Sequence, residues 1–218
     1  MQKTSHNAAE LWQQAQALSD LARRTKPSVK GRTPPLPPLW GLTDPERMPD
    51  PVFLAQTLPE GSGLIYRTFG DPDAESRMTA LMTIARARNL TCLVAWDPEL
   101  ARKCGAMGGH APSRHIGEIA AIRRDWPEAI ITTAAHTVDE AKTAFLAGAD
   151  AILASPVFTT RSASGLLRPS LGPEGLRRLV EAVPGPVIAL GGITANTAQS
   201  LYGTGVYGLA AIDAFNTV

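Results

Sequence analysis

Short apolar runs alternate with longer stretches of helical periodicity from Leu39 onward. The runs predict β-strands at 39–43, 64–68, 91–96, 106–110, 129–133, 151–155, 187–190 and 207–212. Between them the spacing predicts helices over 52–58, 74–89, 98–104, 116–125, 138–147, 173–183 and 195–202. Strands that alternate with helices run parallel, because each helix returns the chain to the starting end of the sheet. Eight such units suggest closure, so the expected fold is α/β, a (β/α)8 TIM barrel over residues 39–218. Capping signals agree: Thr137 precedes VDEAKTAFLA with Glu140 three residues on, and Gly148 follows as a stop. Thr194 opens ANTAQSLYG in the same way, without an acidic partner.

Residues 1–38 stand apart. Positions 7–24 place Leu11, Ala15, Leu18 and Ala22 on one helical face, with Trp12 and Leu21 flanking it. The run Pro34-Pro35-Leu36-Pro37-Pro38 then leads stiffly into the first strand, and a spacer accounts for it better than a PxxP ligand does. Few residues follow the last strand, too few for a full eighth helix. The N-terminal helix is therefore expected to replace that truncated helix on the wall between strands one and eight. The rival expectation is that it docks on another subunit.

Composition narrows the function classes. Of 218 residues, 44% are hydrophobic and 19% charged, enough to bury a substantial core. A net charge of +1 with scattered Lys and Arg argues against nucleic acid, which would need a concentrated basic face. No apolar run approaches membrane-spanning length and no secretory leader is evident, so a soluble cytoplasmic protein with no membrane partner is expected. Cys92 and Cys104 form neither a disulfide framework nor a metal motif.

The chemistry concentrates in 148–194. Strands 151–155 and 187–190 end where late barrel loops hold small anions, and Gly191-Gly192 follows the second of them. Backbone N–H groups approach an oxyanion closely only where no Cβ intervenes. The alternative is that the two glycines merely turn the chain from strand to helix.

From Leu39 to Phe215 the chain resembles the thiamine phosphate synthase and TenI-type thiazole tautomerase family. The segments that carry the resemblance are LWGLTDPER, HTVDEAKTAFLAGADAILASPVFTT, LGPEGLRRLVEAVPGPVIALGGIT and GLAAIDAF. It implies a barrel, usually dimeric, that binds a small phosphorylated thiazole at the C-terminal strand ends. Synthases join a pyrimidine diphosphate to that thiazole with Mg²⁺; the tautomerase branch moves a proton and needs no metal. By resemblance, Gly191, Gly192, Ala211 and Ile212 hold phosphate with Thr160 and Ser162, and Arg67 and His136 are the catalytic candidates. Histidine suits proton transfer because an unperturbed imidazole exchanges protons near neutrality. Asp97 is the one candidate metal ligand, since the second metal carboxylate is replaced by His115. Trp96, Phe69 and His110 are expected to line the mouth. Asp213 stands where the family has serine, so it either turns away from a bound phosphate or excludes one.

Three readings follow for this divergent pattern. One is a synthase, opposed by Ile65, Phe69, Ala134 and Ala163 where the family has polar or cationic residues. Another is a metal-free tautomerase using His136. The third is a non-catalytic binding or regulatory barrel. The reading taken forward is a thiazole-phosphate binder with a degenerate pyrimidine-diphosphate site, without cofactor unless synthase chemistry is retained. Glu60, Arg67, Asp97 and His136 are expected to converge in a working site.

Overall fold

Residues 2–25, 36–159 and 169–216 are described by the structure, a computed structural model. Eight strands close a barrel in sequence order: β1 Leu39–Leu42, β2 Gly63–Tyr66, β3 Thr91–Ala95, β4 Gly108–Ala111, β5 Ile130–Ala135, β6 Ala151–Ala154, β7 Val187–Leu190 and β8 Gly208–Ala211. Neighbouring strands are parallel throughout, including the closing pair of β1 and β8. Around them lie α1 Gln2–Thr25, α2 Pro51–Thr57, α3 Ala74–Ala87, α4 Pro98–Cys104, α5 Ile119–Asp125, α6 Val138–Ala147, α7 Gly172–Ala182 and α8 Ala195–Ala198.

Alternation along the strands sorts side chains into two apolar clusters. Leu42, Ile65, Leu93, Ile130, Leu153, Ile188 and Ala210 fill the interior. The residues between them, such as Leu64, Cys92, Ile131 and Ile152, pack outward against the helices. Trp40 closes the lower interior, and only glycine fits opposite it. A Cβ on Gly63 would lie 2.1 Å from the indole. The indole Nε1 donates to the Pro37 carbonyl at 2.8 Å, and Leu36 is buried in the same cluster. Residues 36–38 thus seal the barrel floor rather than acting only as a spacer; Pro34 and Pro35 lie outside the described residues.

Local signals explain most boundaries. Asp50, Asp97 and Thr137 cap α2, α4 and α6 through side-chain oxygens. Glu140 reaches the N–H of His136 at 2.6 Å instead of that of Thr137, which shifts the expected capping box by one residue. At α8 the box is complete without an acidic residue, because Thr197 supplies the second side chain. Three segments differ most from expectation, and one is the 116–125 helix, which is a 3-10 turn, Ser113–Glu118, followed by α5. The 106–110 strand begins at Gly108, because Ala106 closes the end of α4 by donating to the Ala101 carbonyl at 2.8 Å. The 195–202 helix is α8 followed by a 3-10 turn, Gln199–Leu201.

Helix α1 packs against β1, β8, α8 and the 3-10 turn Asp213–Phe215. Its Leu11 and Ala15 are fully buried there and join the outer core. It occupies the wall between β8 and β1, where the closing helix of a barrel would stand.

Candidate active site

Two pockets open at the C-terminal ends of the strands. The smaller, about 120 Å³, is bounded by the loops after β1, β2, β5, β6, β7 and β8. It gathers Arg67, His136, Gly191, Gly192, Ala211, Ile212 and Asp213 from the sequence expectations, and adds Arg47, Ser155 and Thr194. A second pocket of about 410 Å³ lies between the loops after β1 and β2, and Arg67 lines both.

The β7 loop is shaped by close approach. Gly191 and Gly192 have φ of +100° and +65°, and a Cβ on Gly192 would lie 2.7 Å from Phe158 Cβ and 2.8 Å from the Thr159 carbonyl. Glycine is required here because the β6 loop lies against the β7 loop, a reason beyond the simple turn. Gly191 accepts from the Phe158 N–H at 3.0 Å, and Gly192 accepts from the Thr197 hydroxyl at 2.8 Å. Among the described residues, the N–H groups of Gly192, Ile193, Ile212 and Asp213 have no hydrogen-bond acceptor. Successive unpaired amides beside two arginines are what an oxyanion requires.

His136 is placed between β5 and α6. Its Nδ1 lies 2.5 Å from the Ser155 carbonyl oxygen. A carbonyl only accepts, so Nδ1 carries the hydrogen and Nε2 of the neutral ring keeps its lone pair.

Four charges connect the two pockets. Asp44 binds Arg47 through Nε at 3.2 Å and Nη2 at 2.9 Å, and it binds Arg67 Nη2 at 3.0 Å. Burial would raise the Asp44 carboxyl, but hydrogen bonds and charge from Arg47, with the charge of Arg67, outweigh it and hold it at about 2. Arg67 also donates Nε to the Thr43 carbonyl at 2.5 Å, and its guanidinium lies 4.9 Å from the Phe69 ring centre. Arg47 Nη1 reaches Asp213 Oδ2 at 3.1 Å, so the Asp213 carboxylate is turned onto a cation.

The remaining candidates lie elsewhere. His110 is buried beneath the mouth and pairs through Nδ1 with the Thr132 hydroxyl at 2.9 Å; burial, with Arg67 nearby, pushes its pKa down to about 3. Phe69 lines the larger pocket and is 59% exposed. Trp96 has φ of +44°, which turns it out of β3 onto His115, with ring centres 5.2 Å apart, so it lines neither pocket. Thr160 and Ser162 fall outside the described residues. Of the four residues expected to converge, only Arg67 and His136 share a pocket: Asp97 lines neither, and Glu60 precedes β2 and is exposed, whereas Arg67 follows that strand at the opposite end of the barrel. Arg47 was missed as a candidate. Its signal was the Asp44-Pro45-Glu46-Arg47 turn, in which Asp44 Oδ1 accepts the Arg47 N–H at 3.1 Å.

The sequence profile of the thiamine monophosphate synthase family, TMP-TENI, matches residues 54–215, well over half of the chain. The chain belongs to this family. It is 34% identical over 143 residues to a thiamine-phosphate synthase of Geobacillus kaustophilus, covering 65% of this chain and 64% of that one. With the corresponding protein of Salinispora arenicola it shares 37% over 136 residues, covering 62% and 65%. It therefore spans just under two thirds of the length of these two relatives. A solved thiamine phosphate pyrophosphorylase from Pyrococcus furiosus superposes with a TM-score of 0.70 at 27% identity, covering 82% of this chain and 88% of that one. The barrel and its thiamine-biosynthesis family thus agree.

Magnesium, which the family's synthases use, fits these residues poorly. Asp97 Oδ1 accepts the Leu100 N–H at 2.9 Å as a helix cap. The position of the second carboxylate carries His115, stacked on Trp96 and bonded through Nδ1 to Glu118 at 2.6 Å. Among the described residues no three His, Cys, Asp or Glu side chains cluster so as to hold a metal ion. Hard oxygen donors are what Mg²⁺ requires, and among the described residues this mouth offers too few of them. Nor is any helix among the described residues long and apolar enough to cross a membrane.

Proposed function

We propose that this chain is a divergent member of its family that binds a thiazole phosphate, or a phosphate ester of similar size, in the smaller pocket. The observation that carries the reading is the meeting of His136 with the Gly191–Gly192 loop, Arg47 and Arg67 around one cavity. The amides that have no acceptor among the described residues and the guanidinium groups supply the anion site. The lone pair on His136 Nε2 supplies a base that can take a proton from one atom of the bound ring and return it to another, leaving the ligand's composition unchanged. That is the chemistry of a tautomerase.

Synthase chemistry has less support. Expulsion of pyrophosphate needs cations to absorb the developing charge. Asp97 is occupied as a cap, Phe69 and Ala134 offer no charge, and Ile65 is buried in the barrel interior. The pyrimidine-diphosphate half of the site is degenerate on this reading.

Calorimetry with thiazole phosphate, with and without Mg²⁺ and pyrophosphate, tests the proposal. Metal-independent micromolar binding is expected, followed by tautomerase turnover. Robust Mg²⁺-dependent formation of thiamine phosphate would overturn the degenerate-site reading. Binding without any proton exchange would leave a non-catalytic binding barrel.

A further inference from the structure

We infer that Arg47 is the anion anchor of the smaller pocket and that Asp213 is its internal competitor, displaced when a phosphate ester binds. The inference rests on the reading that this pocket takes phosphate, and it adds how the chain controls access to it.

Arg47 is a fixed cation. Asp44 engages its Nε and Nη2, and Asn216 Nδ2 donates to its carbonyl oxygen at 2.8 Å. Asp44 also holds Arg67, so neither pairing is easily given up. What remains of the Arg47 fork is Nη1, and it points to Asp213 at 3.1 Å.

Asp213 is the loosely held partner. Its side chain is 64% exposed against 20% for Arg47, and among the described residues this ion pair is the only bond its carboxylate makes. An exposed ion pair of this kind contributes little. Breaking it is therefore cheap when a better anion arrives.

A phosphate ester is the better anion. It carries more charge than a carboxylate and has further oxygens for the amides of Gly192 and Ile193, which have no acceptor among the described residues. Asp44, Asp213, Arg47 and Arg67 sum to zero charge, so an incoming phosphate meets a neutral cluster until Asp213 swings clear of Arg47. Selectivity follows: anions too weakly charged to displace the carboxylate are kept out.

The test is calorimetric titration of inorganic phosphate and of thiazole phosphate into the wild-type chain and the variants Asp213→Asn, Arg47→Lys and Arg47→Gln, with thermal unfolding as a fold control. Asp213→Asn is expected to tighten both ligands about five- to tenfold, because the competitor and its repulsion are both removed. Arg47→Gln should weaken them about tenfold or more, and Arg47→Lys should fall between, since a point charge replaces the fork. In the Arg47→Gln background the gain from Asp213→Asn should shrink. Wild-type binding that Asp213→Asn leaves unchanged or weakens would overturn the inference while sparing the phosphate site. Failure of every variant to bind either ligand would overturn the phosphate site and the inference with it. Should Arg47→Gln not fold, the exposed Asp213→Asn variant still decides.

Discussion

Across the mouth of the barrel, Nδ1 of His136 donates to the carbonyl oxygen of Ser155 at 2.5 Å. The bond joins the loop after β5 to the end of β6, and it fixes both the tautomer and the plane of the ring. Glu140 holds the same residue from the other side through its backbone N–H at 2.6 Å. The residue is thus held at its backbone and at its ring, and Nε2 has no hydrogen-bond partner among the described residues.

Replacing that ring should separate binding from chemistry. For His136→Gln, loss of a positioned base predicts a tautomerase rate lower by about 10²–10⁴-fold. Affinity for thiazole phosphate should stay within about threefold, because the anion donors lie on other loops. Parallel calorimetry and turnover measurements check this; an unchanged rate would remove His136 from the mechanism.

At the β7 loop, Gly192→Ala should damage both stability and binding. The added Cβ meets Phe158 and the Thr159 carbonyl at under 3 Å, on a backbone with φ of +65°. A loss of about 1–3 kcal/mol is expected, from strain and from the displaced β6 loop. Urea unfolding gives the first quantity, and phosphate titration shows whether the amides have moved.

Acid should destabilise the fold in two windows. The unfolded His110 pKa is about 6.5, and its folded value is pushed down to about 3 by burial and by Arg67. The folded chain resists this protonation, so stability falls as pH drops from about 6.5 toward 3. Asp44 is held at about 2 by its arginines, against about 3.9 unfolded. Its contribution, discounted for solvent screening to about 1–2 kcal/mol, is complete above about pH 5 and is lost as pH falls through 2. Unfolding free energies across this range should lose the upper slope in His110→Gln and the lower slope in Asp44→Asn.

Helix α1 should behave as part of the barrel. Leu11 is fully buried against it, so Leu11→Ala should cost about 2–5 kcal/mol in a single cooperative transition. Denaturant melts followed by two spectroscopic probes would show this. A loss below about 0.5 kcal/mol, typical of surface sites, would mean the helix is dispensable to the fold.

Much of the fold was legible in the sequence. Period-two apolar runs and period-3.6 stretches require alternating strands and helices, and parallel strands follow from the crossovers. Caps such as Thr137 and stops such as Gly148 act within a few residues, so helix α6 could be read to its ends. The start of β4 could not, because Ala106 was equally apolar as a strand residue and was claimed by a hydrogen bond to Ala101. Gly191-Gly192, Arg67 and His136 were also legible, because each stands at a strand end and those ends share one face of a barrel.

Tertiary structure decided what long-range contacts control. Trp96 and Phe69 looked equivalent at two strand mouths, yet one stacks on His115 and the other on Arg67. Glu60 sat near Arg67 in sequence but lies at the other end of β2. Most of all, the sequence could only pose Asp213 as a choice between turning away and excluding an anion. Its partner Arg47 is 166 residues distant and meets it only because β1 and β8 close the barrel. Sequence periodicity determines which elements form and which face is buried, because those forces act locally. Charge pairing across the closure depends on distances that exist only once the chain has folded.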